Sequence, residues 1–282
     1  MSLNLYNETC FKIGDLITKN YSTSFSIAIN LFDSEIRNSI TSIYAFVRLA
    51  DEIVDSFHGF DKNDLLEKLR DETFLAINNG ISTNPVINCF QITVNKYKIP
   101  DVYINDFLNS MEMDISNNFY KRNEYDKYVY GSAEVVGLMC LKVFCSCDEK
   151  LFSELISPAR ALGSAFQKVN FLRDIKSDIS ERGRIYFPDT DDLSEINHSN
   201  KSRLENEIES EFEEALRGIK KLPKSCKLAV YSAYIYYYML FKKIRKTGIK
   251  VLLSERVRLS NFTKLILLIK SAFEVKLTNA IE

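Results

Sequence analysis

The sequence of 282 residues contains no Trp, 2 His, 5 Pro and 9 Gly. All-β folds made of many short strands need turns rich in Gly and Pro, so this shortage argues against such a fold. The 6 Cys show no spacing typical of a metal site, because the closest pair, Cys145 and Cys147, has no His nearby. Cys89, Cys140 and Cys226 lie in apolar runs, where free cysteines behave as small core residues. We therefore expect a protein of a reducing compartment.

Long hydrophobic runs are also missing. No apolar stretch approaches the roughly 20 residues that cross a bilayer as a helix. The first residues, 1–8, lack the basic region and apolar run of a signal peptide. We therefore expect a cytoplasmic protein with neither a membrane-spanning helix nor a signal peptide.

Charge is distributed unevenly along the chain. The net charge is −1, yet residues 215–282 contain 15 Lys and Arg against 3 Asp and Glu. The basic residues could simply cover solvated helix faces. They could also serve a polyanionic substrate or an anionic membrane surface. No recognised nucleic-acid-binding motif accompanies them, so we expect no nucleic-acid partner.

Most of the sequence has helical periodicity, and no segment shows a convincing alternation of polar and apolar residues. We predict one all-α domain over residues 1–282. A hydroxyl-rich break at 21–26, a non-helical link at 181–188, a polar loop at 189–200 and an irregular segment at 250–258 separate helices. The predicted helices cover residues 8–19, 33–58, 61–78, 85–97, 101–118, 202–220, 224–247 and 260–278, with further helices around 125–141 and 166–178.

Two acidic stretches suggest the chemistry. Asp51 and Asp55 are four residues apart, as are Asp174 and Asp178, so each pair lies on one face of a helix. One such pair is usually a solvated surface, because exposed carboxylates are the norm. Two pairs in apolar helices suit a cavity in which carboxylates bind a hard cation such as Mg²⁺ against substrate phosphates. Residues that share these two stripes are Tyr44 and Arg48 in the first and Gln167 and Asn170 in the second.

Ordered blocks of sequence resemble the squalene/phytoene synthase family, the head-to-head prenyl transferases. The resemblance extends from about Tyr21 to Arg258, and the order and spacing of the blocks make it specific. The blocks are residues 22–25, 44–48, 51–55, 111–114, 130–139, 162–167, 170–174 and 182–188.

The resemblance implies an isoprenoid-synthase helical bundle with a central active-site cavity. It further implies Mg²⁺, which Mn²⁺ could replace, and two prenyl diphosphate substrates. One substrate would be ionised and the other would attack, giving a cyclopropyl-carbinyl diphosphate that rearranges to a linear hydrocarbon. With geranylgeranyl diphosphate the intermediate is prephytoene diphosphate and the product is phytoene, for carotenoid biosynthesis.

The resemblance also implies roles for individual residues. The metal ligands would be Asp51, Asp55, Asn170, Asp174 and Asp178. The other residues of the reaction centre would be Tyr44, Arg48, Tyr130 and Arg173. The diphosphate-binding residues would be Tyr21, Ser22, Ser24, Arg48, Gln167, Asn170, Tyr237 and Arg256.

Two positions depart from the family pattern, and one matching residue has no assigned role. Tyr21 stands where a His is common, and Ser110 stands where a Gly is usual. A phenol can hydrogen-bond a diphosphate but brings no positive charge. Asp114 matches a family Asp whose role we do not fix.

Several alternatives remain open. The same chemistry on farnesyl diphosphate would give squalene or dehydrosqualene, and squalene would require NADPH. A head-to-tail prenyl transferase or terpene cyclase fits the aspartates but not the blocks at 131–137 and 182–188. A non-catalytic assembly factor of the same fold would have lost its aspartates.

Three further segments allow two interpretations each. The hydroxyls of 22–26 could cap a helix or bind phosphate. The small residues near Gly131 and Gly137 could admit a neighbouring helix or a bulky ligand. The run 265–269 could pack on the core, which we favour, or make peripheral contact with the inner face of a membrane. The oligomeric state is left open.

Overall fold

A computed structural model describes residues 2–188, 190 and 196–281, without the side chains of 23–25 and 276–281. The all-α prediction is confirmed, since the described residues form helices and one isolated parallel bridge between Phe119 and Ile185. A five-residue π-helix, Tyr130–Glu134, joins α7 directly to α8. The α-helices are α1 Leu3–Tyr21, α2 Thr23–Ile29, α3 Ser34–Asp55, α4 Lys62–Asn79, α5 Pro85–Tyr97, α6 Asp101–Ser116, α7 Arg122–Val129, α8 Val135–Cys145, α9 Glu149–Arg182, α10 His198–Lys221, α11 Lys224–Lys246, α12 Ile249–Leu252 and α13 Asn261–Ile281.

The helix boundaries differ from the predicted ones mainly where polar residues begin a helix. The predicted break at 21–26 shrinks to Ser22, because α2 already begins at Thr23. The predicted loop at 189–200 ends earlier than expected, because Asn197 caps α10 by accepting from the amides of Ser199 and Asn200. Residues 189 and 191–195 of that loop lie outside the described residues.

Two long helices, α3 and α9, carry the acidic stretches through the middle of the fold. Helix α3 packs against α1, α5, α6 and α8, and α9 packs against α8, α10 and α11. Gly183, with φ of +67°, ends α9 in the left-handed region and turns the chain into the link that follows. Arg182 and Arg184 flank this turn and therefore lie next to the second acidic stretch.

The continuous helix Arg122–Cys145 corrects our expectation of no membrane-length helix. Between Tyr128 and Cys145 only Glu134 and Lys142 are charged, so this helix is long and apolar enough to cross a membrane by length and composition. Its most apolar part is 61% buried inside the protein. The segment therefore has the burial of a core helix.

The small residues near Gly131 and Gly137 admit neighbouring helices. A Cβ at Gly163 would lie 2.5 Å from the carbonyl oxygen of Ala133, and one at Gly137 would lie 2.9 Å from that of Ala159. These contacts bring the π-helix and α8 against the backbone of α9. A Cβ at Gly131 would lie 2.7 Å from that of Ser110, so Gly131 makes room for the Ser that replaces the usual Gly.

Candidate active site

The first acidic stripe, on α3, contains a carboxylate that is short of positive charge. Burial, together with the neighbouring carboxylates of Asp55 and Asp114, raises the pKa of Asp51 to about 7. Arg48 opposes this rise but lies 4.0 Å from Asp51 and also pairs with Glu52. The Asp51 side chain is 34% exposed, as expected for a group on the wall of a cleft rather than in the core.

Asp55, one turn further on, is held by the two arginines on either side of Gly183 at the end of α9. Arg184 Nη1 donates to Asp55 Oδ1 at 2.7 Å, and Arg182 Nε lies 3.1 Å from Asp55 Oδ2. Arg182 Nη1 also donates to Asp178 at 2.8 Å. A single guanidinium therefore joins the first acidic stripe to the second, which places the two stripes face to face.

The second stripe, on α9, repeats the pattern. Asp174 lies between two arginines: Arg173 Nε donates to it at 3.0 Å, and Arg256 Nε lies 2.6 Å from Asp174 Oδ1. Burial raises the pKa of Asp178 to about 7 in spite of its bond to Arg182. Asp174 and Asp55 contribute to that rise, which shows that the carboxylates of both helices influence one another.

A chain of polar contacts extends from Asp174 to α11 and the π-helix. Tyr237 donates to Asn170 Oδ1 at 3.3 Å, and its ring stacks on Phe166 with centroids 4.0 Å apart. Tyr237 also shares a hydrogen bond with Arg173. Asn170 and Gln167 are linked at 3.5 Å, and Gln167 donates to Ser132 at 3.3 Å. Among the adjacent tyrosines of α11, Tyr237 is therefore the one in contact with the second stripe.

A smaller group surrounds Arg48 at the end of α1. The guanidinium carbon of Arg48 lies 4.4 Å from the centre of the Tyr21 ring, so the replacement of His by Tyr supplies a cation–π contact. Tyr44 shares a hydrogen bond with Ser22, and burial raises the pKa of Tyr44 to about 12. The buried Nε of Arg48 has no hydrogen-bond partner among the described residues.

One predicted residue with a described side chain is not part of this network. Tyr130 lies under Arg160, whose guanidinium carbon is 5.1 Å from the ring centre, and Arg160 also pairs with Glu134. The side chain of Ser24 lies outside the described residues.

Asp114 is a buried carboxylate that positions Arg184, one of the arginines of the site. Three phenols, those of Tyr120, Tyr128 and Tyr186, donate to it at 2.6–2.7 Å. Arg184, which contacts Asp55, lies 3.7 Å from Asp114. Burial raises the pKa of Asp114, and the phenols and Arg184 oppose that rise. Asp114 therefore holds the arginine that holds Asp55.

We assigned no role to Arg182, Arg184 and Tyr186 from the sequence, although their positions pointed to the site. All three lie in the block 182–188, and Arg182 is four residues after Asp178. Their partners on α3 and α6 are distant in sequence, so spacing alone could not reveal the contacts.

The donor set fits a hard divalent cation, although the aspartates are paired with arginines in this structure. Among the described residues, no three His, Cys, Asp or Glu side chains converge as ready metal ligands. The raised pKa values of Asp51 and Asp178 nevertheless show carboxylates that additional positive charge would stabilise. Carboxylate and amide oxygens are also the ligands that Mg²⁺ prefers.

A separate surface pocket of about 570 Å³ lies between α9 and α10 and includes none of the predicted site residues. Its walls contain the ion pairs of Lys168 with Glu207 and Glu211, and of Arg122 with Glu207. We interpret it as a gap beside an ion-pair network that joins α7, α9 and α10.

Comparison with known proteins identifies the family. The squalene/phytoene synthase family model matches residues 18–263. The chain belongs to the squalene/phytoene synthase family. It is similar to the phytoene synthase of Arthrospira platensis, with 28% identity over 257 residues and 82% of each chain covered. It is also similar to the 15-cis-phytoene synthase of Pantoea ananas, with 29% identity covering 82% of this chain and 78% of the relative.

Solved structures show the same fold. The crystal structure of a dehydrosqualene synthase matches with a TM-score of 0.80 and 22% identity, covering 96% of this chain and 98% of that chain. A squalene synthase from Alicyclobacillus acidocaldarius matches with a TM-score of 0.75 and 21% identity, covering 86% and 95%. The isoprenoid-synthase bundle is therefore the fold of this squalene/phytoene synthase family member. Family members are prenyltransferases acting on prenyl diphosphates, and so is this chain.

Proposed function

We propose that the protein joins two molecules of geranylgeranyl diphosphate head to head and forms phytoene through prephytoene diphosphate. The observation that carries this proposal is the pair of aspartate stripes on α3 and α9, which Arg182 joins through Asp55 and Asp178. The similarity to phytoene synthases over about four fifths of the chain supports the choice of the longer substrate.

The site has the charges that this reaction needs. Six carboxylates and five guanidinium groups are held close together, so the site offers carboxylate oxygens to metal ions and cationic hydrogen-bond donors to the oxygens of a diphosphate. Mg²⁺ held by Asp51, Asp55, Asn170, Asp174 and Asp178, or Mn²⁺ in its place, would stabilise the charge of the departing diphosphate. The carboxylates are Asp51, Glu52, Asp55, Asp114, Asp174 and Asp178, and the arginines are Arg48, Arg173, Arg182, Arg184 and Arg256.

The arginines orient the diphosphate groups and offset their charge. Arg48 offers a buried Nε without a partner among the described residues, and Tyr21 holds its guanidinium by the ring face. Arg256 is half-exposed and contacts Asp174 from the segment before α13. Its guanidinium can therefore reorient towards a diphosphate that binds beside Asp174. Fixed positive charge beside the leaving group lowers the barrier to its departure.

Residues beside the polar centre protect the cation that ionisation leaves. Tyr237 and Phe166 stack against each other next to Asn170. Aromatic and apolar walls limit quenching of the cation by water. We assign Tyr130 to the same wall, on the side of the π-helix.

The competing substrate is farnesyl diphosphate, which would give dehydrosqualene, or squalene if NADPH is used. The similarity of fold to a dehydrosqualene synthase favours this candidate. The number of carbons that fit depends on the depth of the apolar part of the site. We also propose that the protein works in the cytoplasm, peripheral to the inner face of the membrane.

The test is product analysis of the purified full chain with Mg²⁺ and each of the two diphosphates, with and without NADPH. We expect phytoene from geranylgeranyl diphosphate without NADPH. Squalene or dehydrosqualene from farnesyl diphosphate alone would establish the shorter substrate instead. The absence of hydrocarbon from both would contradict the proposed reaction.

Variants connect the product to the site. Asp51→Asn and Asp174→Asn should each lower turnover by at least about a hundredfold, because each removes charge from the metal-binding face. The matched control is Asp71→Asn, on the exposed surface of α4, which should keep full activity. Circular dichroism checks that all three proteins are folded. Full activity in both site variants would reject the role of the aspartates.

A further inference from the structure

Helix α13 has an uncovered apolar stripe on its outer face. Residues 262, 265, 266, 269 and 273 follow helical spacing and fall within about a third of the helix circumference. Phe262 is 73% exposed and Phe273 is 66% exposed, and the other three are about half exposed. We call these five residues the α13 stripe; they are Phe262, Leu265, Ile266, Ile269 and Phe273.

The opposite face attaches α13 to the rest of the protein. Leu267, Ser271 and Val275 are buried, and Ser271 shares a hydrogen bond of 2.8 Å with Ser232 of α11. Tyr231 of α11 donates to Glu274 at 2.8 Å. The apolar run 265–269 is therefore divided: Leu267 packs inwards as we expected, but its neighbours on the α13 stripe do not.

The surroundings of the stripe carry positive charge. Lys270 is exposed at its edge and forms an ion pair with Glu274 at 3.7 Å. Lys243 of α11 donates to the carbonyl of Arg258 at 2.7 Å, and both side chains are exposed just before α13 begins. These residues belong to the segment 215–282, with 15 Lys and Arg against 3 Asp and Glu. An anionic surface is attracted by this charge. A second copy of the chain, docked through the same face, would bring like charges together.

We propose that the α13 stripe binds the protein to an anionic lipid bilayer, with α13 lying in the plane of the membrane surface. Amphipathic helices at such interfaces bury their apolar face about 5–10 Å deep while basic residues contact anionic headgroups. The five exposed side chains supply the apolar face, and Lys270, Lys243 and Arg258 supply the basic rim.

Helix α13 lies close to the candidate site, so membrane binding there would bring the site near the bilayer. Lys264 at the start of α13 lies over the ring of Tyr236 at 5.7 Å, and Tyr236 contacts Tyr237 edge to face at 5.4 Å. Tyr237 in turn contacts Asn170 of the candidate site. Helix α13 and the site therefore both contact α11, and the α13 stripe lies on the side of α13 that faces away from α11. If the proposed function holds, a substrate with a lipid tail and a hydrocarbon product exchange with the bilayer over a short path.

The experiment is co-sedimentation of the full chain with vesicles. Vesicles of phosphatidylcholine with phosphatidylglycerol are compared with vesicles of phosphatidylcholine alone, at low and high salt. We expect binding to the anionic vesicles that weakens as salt rises. The double variant Ile269→Glu, Phe273→Glu should reduce that binding by about tenfold or more, because it places charge in the apolar face.

A matched control separates the stripe from apolar exposure in general. Leu75→Glu, on α4, changes an equally exposed apolar residue far along the chain and should leave vesicle binding unchanged. Activity on detergent-dispersed substrate should be the same in all of these proteins, since none of the changed residues belongs to the site. The activity measurement therefore distinguishes a loss of membrane binding from a loss of the reaction.

Two results would overturn the proposal. One is binding of the double variant to anionic vesicles as tight as that of the unchanged protein, or no vesicle binding by either. The other is a dimer in sedimentation velocity that the double variant dissociates, without vesicle binding, which would make a second copy the occupant.

Discussion

The arginine side chains decide the electrostatic balance of the site at the scale of single residues. Arg182 contacts Asp55 and Asp178, while Arg173 and Arg256 both contact Asp174. These ion pairs hold the carboxylates of the two stripes in position opposite one another. A cation that binds these carboxylates must compete with the guanidinium groups, and each arginine released in this way becomes available to a diphosphate.

Substitutions of Tyr21 test what this side chain, at a position where His is common, contributes to substrate affinity. If its ring face holds Arg48, Tyr21→Phe should keep substrate affinity, because Phe retains the cation–π contact at 4.4 Å. Tyr21→Ala should weaken affinity several-fold, corresponding to about 0.5–1 kcal/mol for an exposed cation–π pair. The measurement is KM and kcat for the three proteins. Equal loss in Phe and Ala variants would show that the hydroxyl, not the ring, contributes.

Asp114 should be essential to stability as well as to geometry. Asp114→Asn leaves the buried Arg184 with one carboxylate fewer and removes one of the two oxygens that accept the three phenol hydrogen bonds. Breaking a buried charge pair costs about 3–5 kcal/mol, so we expect a large fall in the free energy of unfolding, measured by urea denaturation.

The matched variant Tyr120→Phe removes one of these phenols and keeps the charge pair. It should cost about 1–3 kcal/mol, as for a buried acceptor that loses one donor. A fall for Asp114→Asn no larger than that for Tyr120→Phe would contradict the charge-pair argument.

Close backbone contact between helices sets the geometry at the scale of elements. The π-helix and α8 approach α9 at Gly163 and Gly137, and α10 approaches α9 where Gly218 faces Pro158. The π-helix carries Ser132, which contacts Gln167 on α9. The small residues therefore fix the distance between the helices as well as the position of a polar side chain.

Gly163→Ala tests this close approach. Its Cβ would lie 2.5 Å from the Ala133 carbonyl oxygen, so α9 and the π-helix must move apart. Such overpacking costs about 1–3 kcal/mol, seen as a lower melting temperature. Gly248→Ala is the matched control, because its Cβ would meet nothing within 4 Å and its φ is −66°. The idea fails if both variants melt at the temperature of the unchanged protein.

The whole molecule carries opposite charges in two parts of the chain. Residues 1–214 hold the acidic excess and all five aspartates of the site, and residues 215–282 hold the basic excess. Arg256 joins the two parts through Asp174, while Lys243 and Arg258 remain on the surface near α13. Part of the basic excess thus serves the site, and part remains exposed.

Ligand binding should stabilise the whole molecule. We expect Mg²⁺ and inorganic diphosphate together to raise the melting temperature by more than the sum of their separate effects, because each offsets charge that the other introduces. Removal of divalent ions with EDTA should abolish turnover, and added Mg²⁺ should restore it. In Asp51→Asn the joint rise in melting temperature should be much smaller. Equal rises in melting temperature for Asp51→Asn and the unchanged protein would show that the ions bind elsewhere.

Several features could be predicted from the sequence because they depend on local geometry. The 3.6-residue helical period places Asp51 with Asp55, and Asp174 with Asp178, on one face whatever the rest of the chain does. Helix α5 begins at Pro85 and ends at Tyr97 as predicted, because Asn84 caps one end and Lys98 leaves the helix in the left-handed region at the other. The order of the sequence blocks identified the family.

The sequence alone therefore determined the all-α class and the two aspartate stripes, since each is set by neighbours within a few residues, and it determined the family through the order and spacing of its blocks. Only the tertiary structure decided the partners of those aspartates. Arg184 and Asp55 are 129 residues apart in the chain, and Arg256 and Asp174 are 82 apart. Such contacts depend on how all the helices pack together, as does the exposure of the α13 stripe, because either apolar face of α13 could have turned inwards.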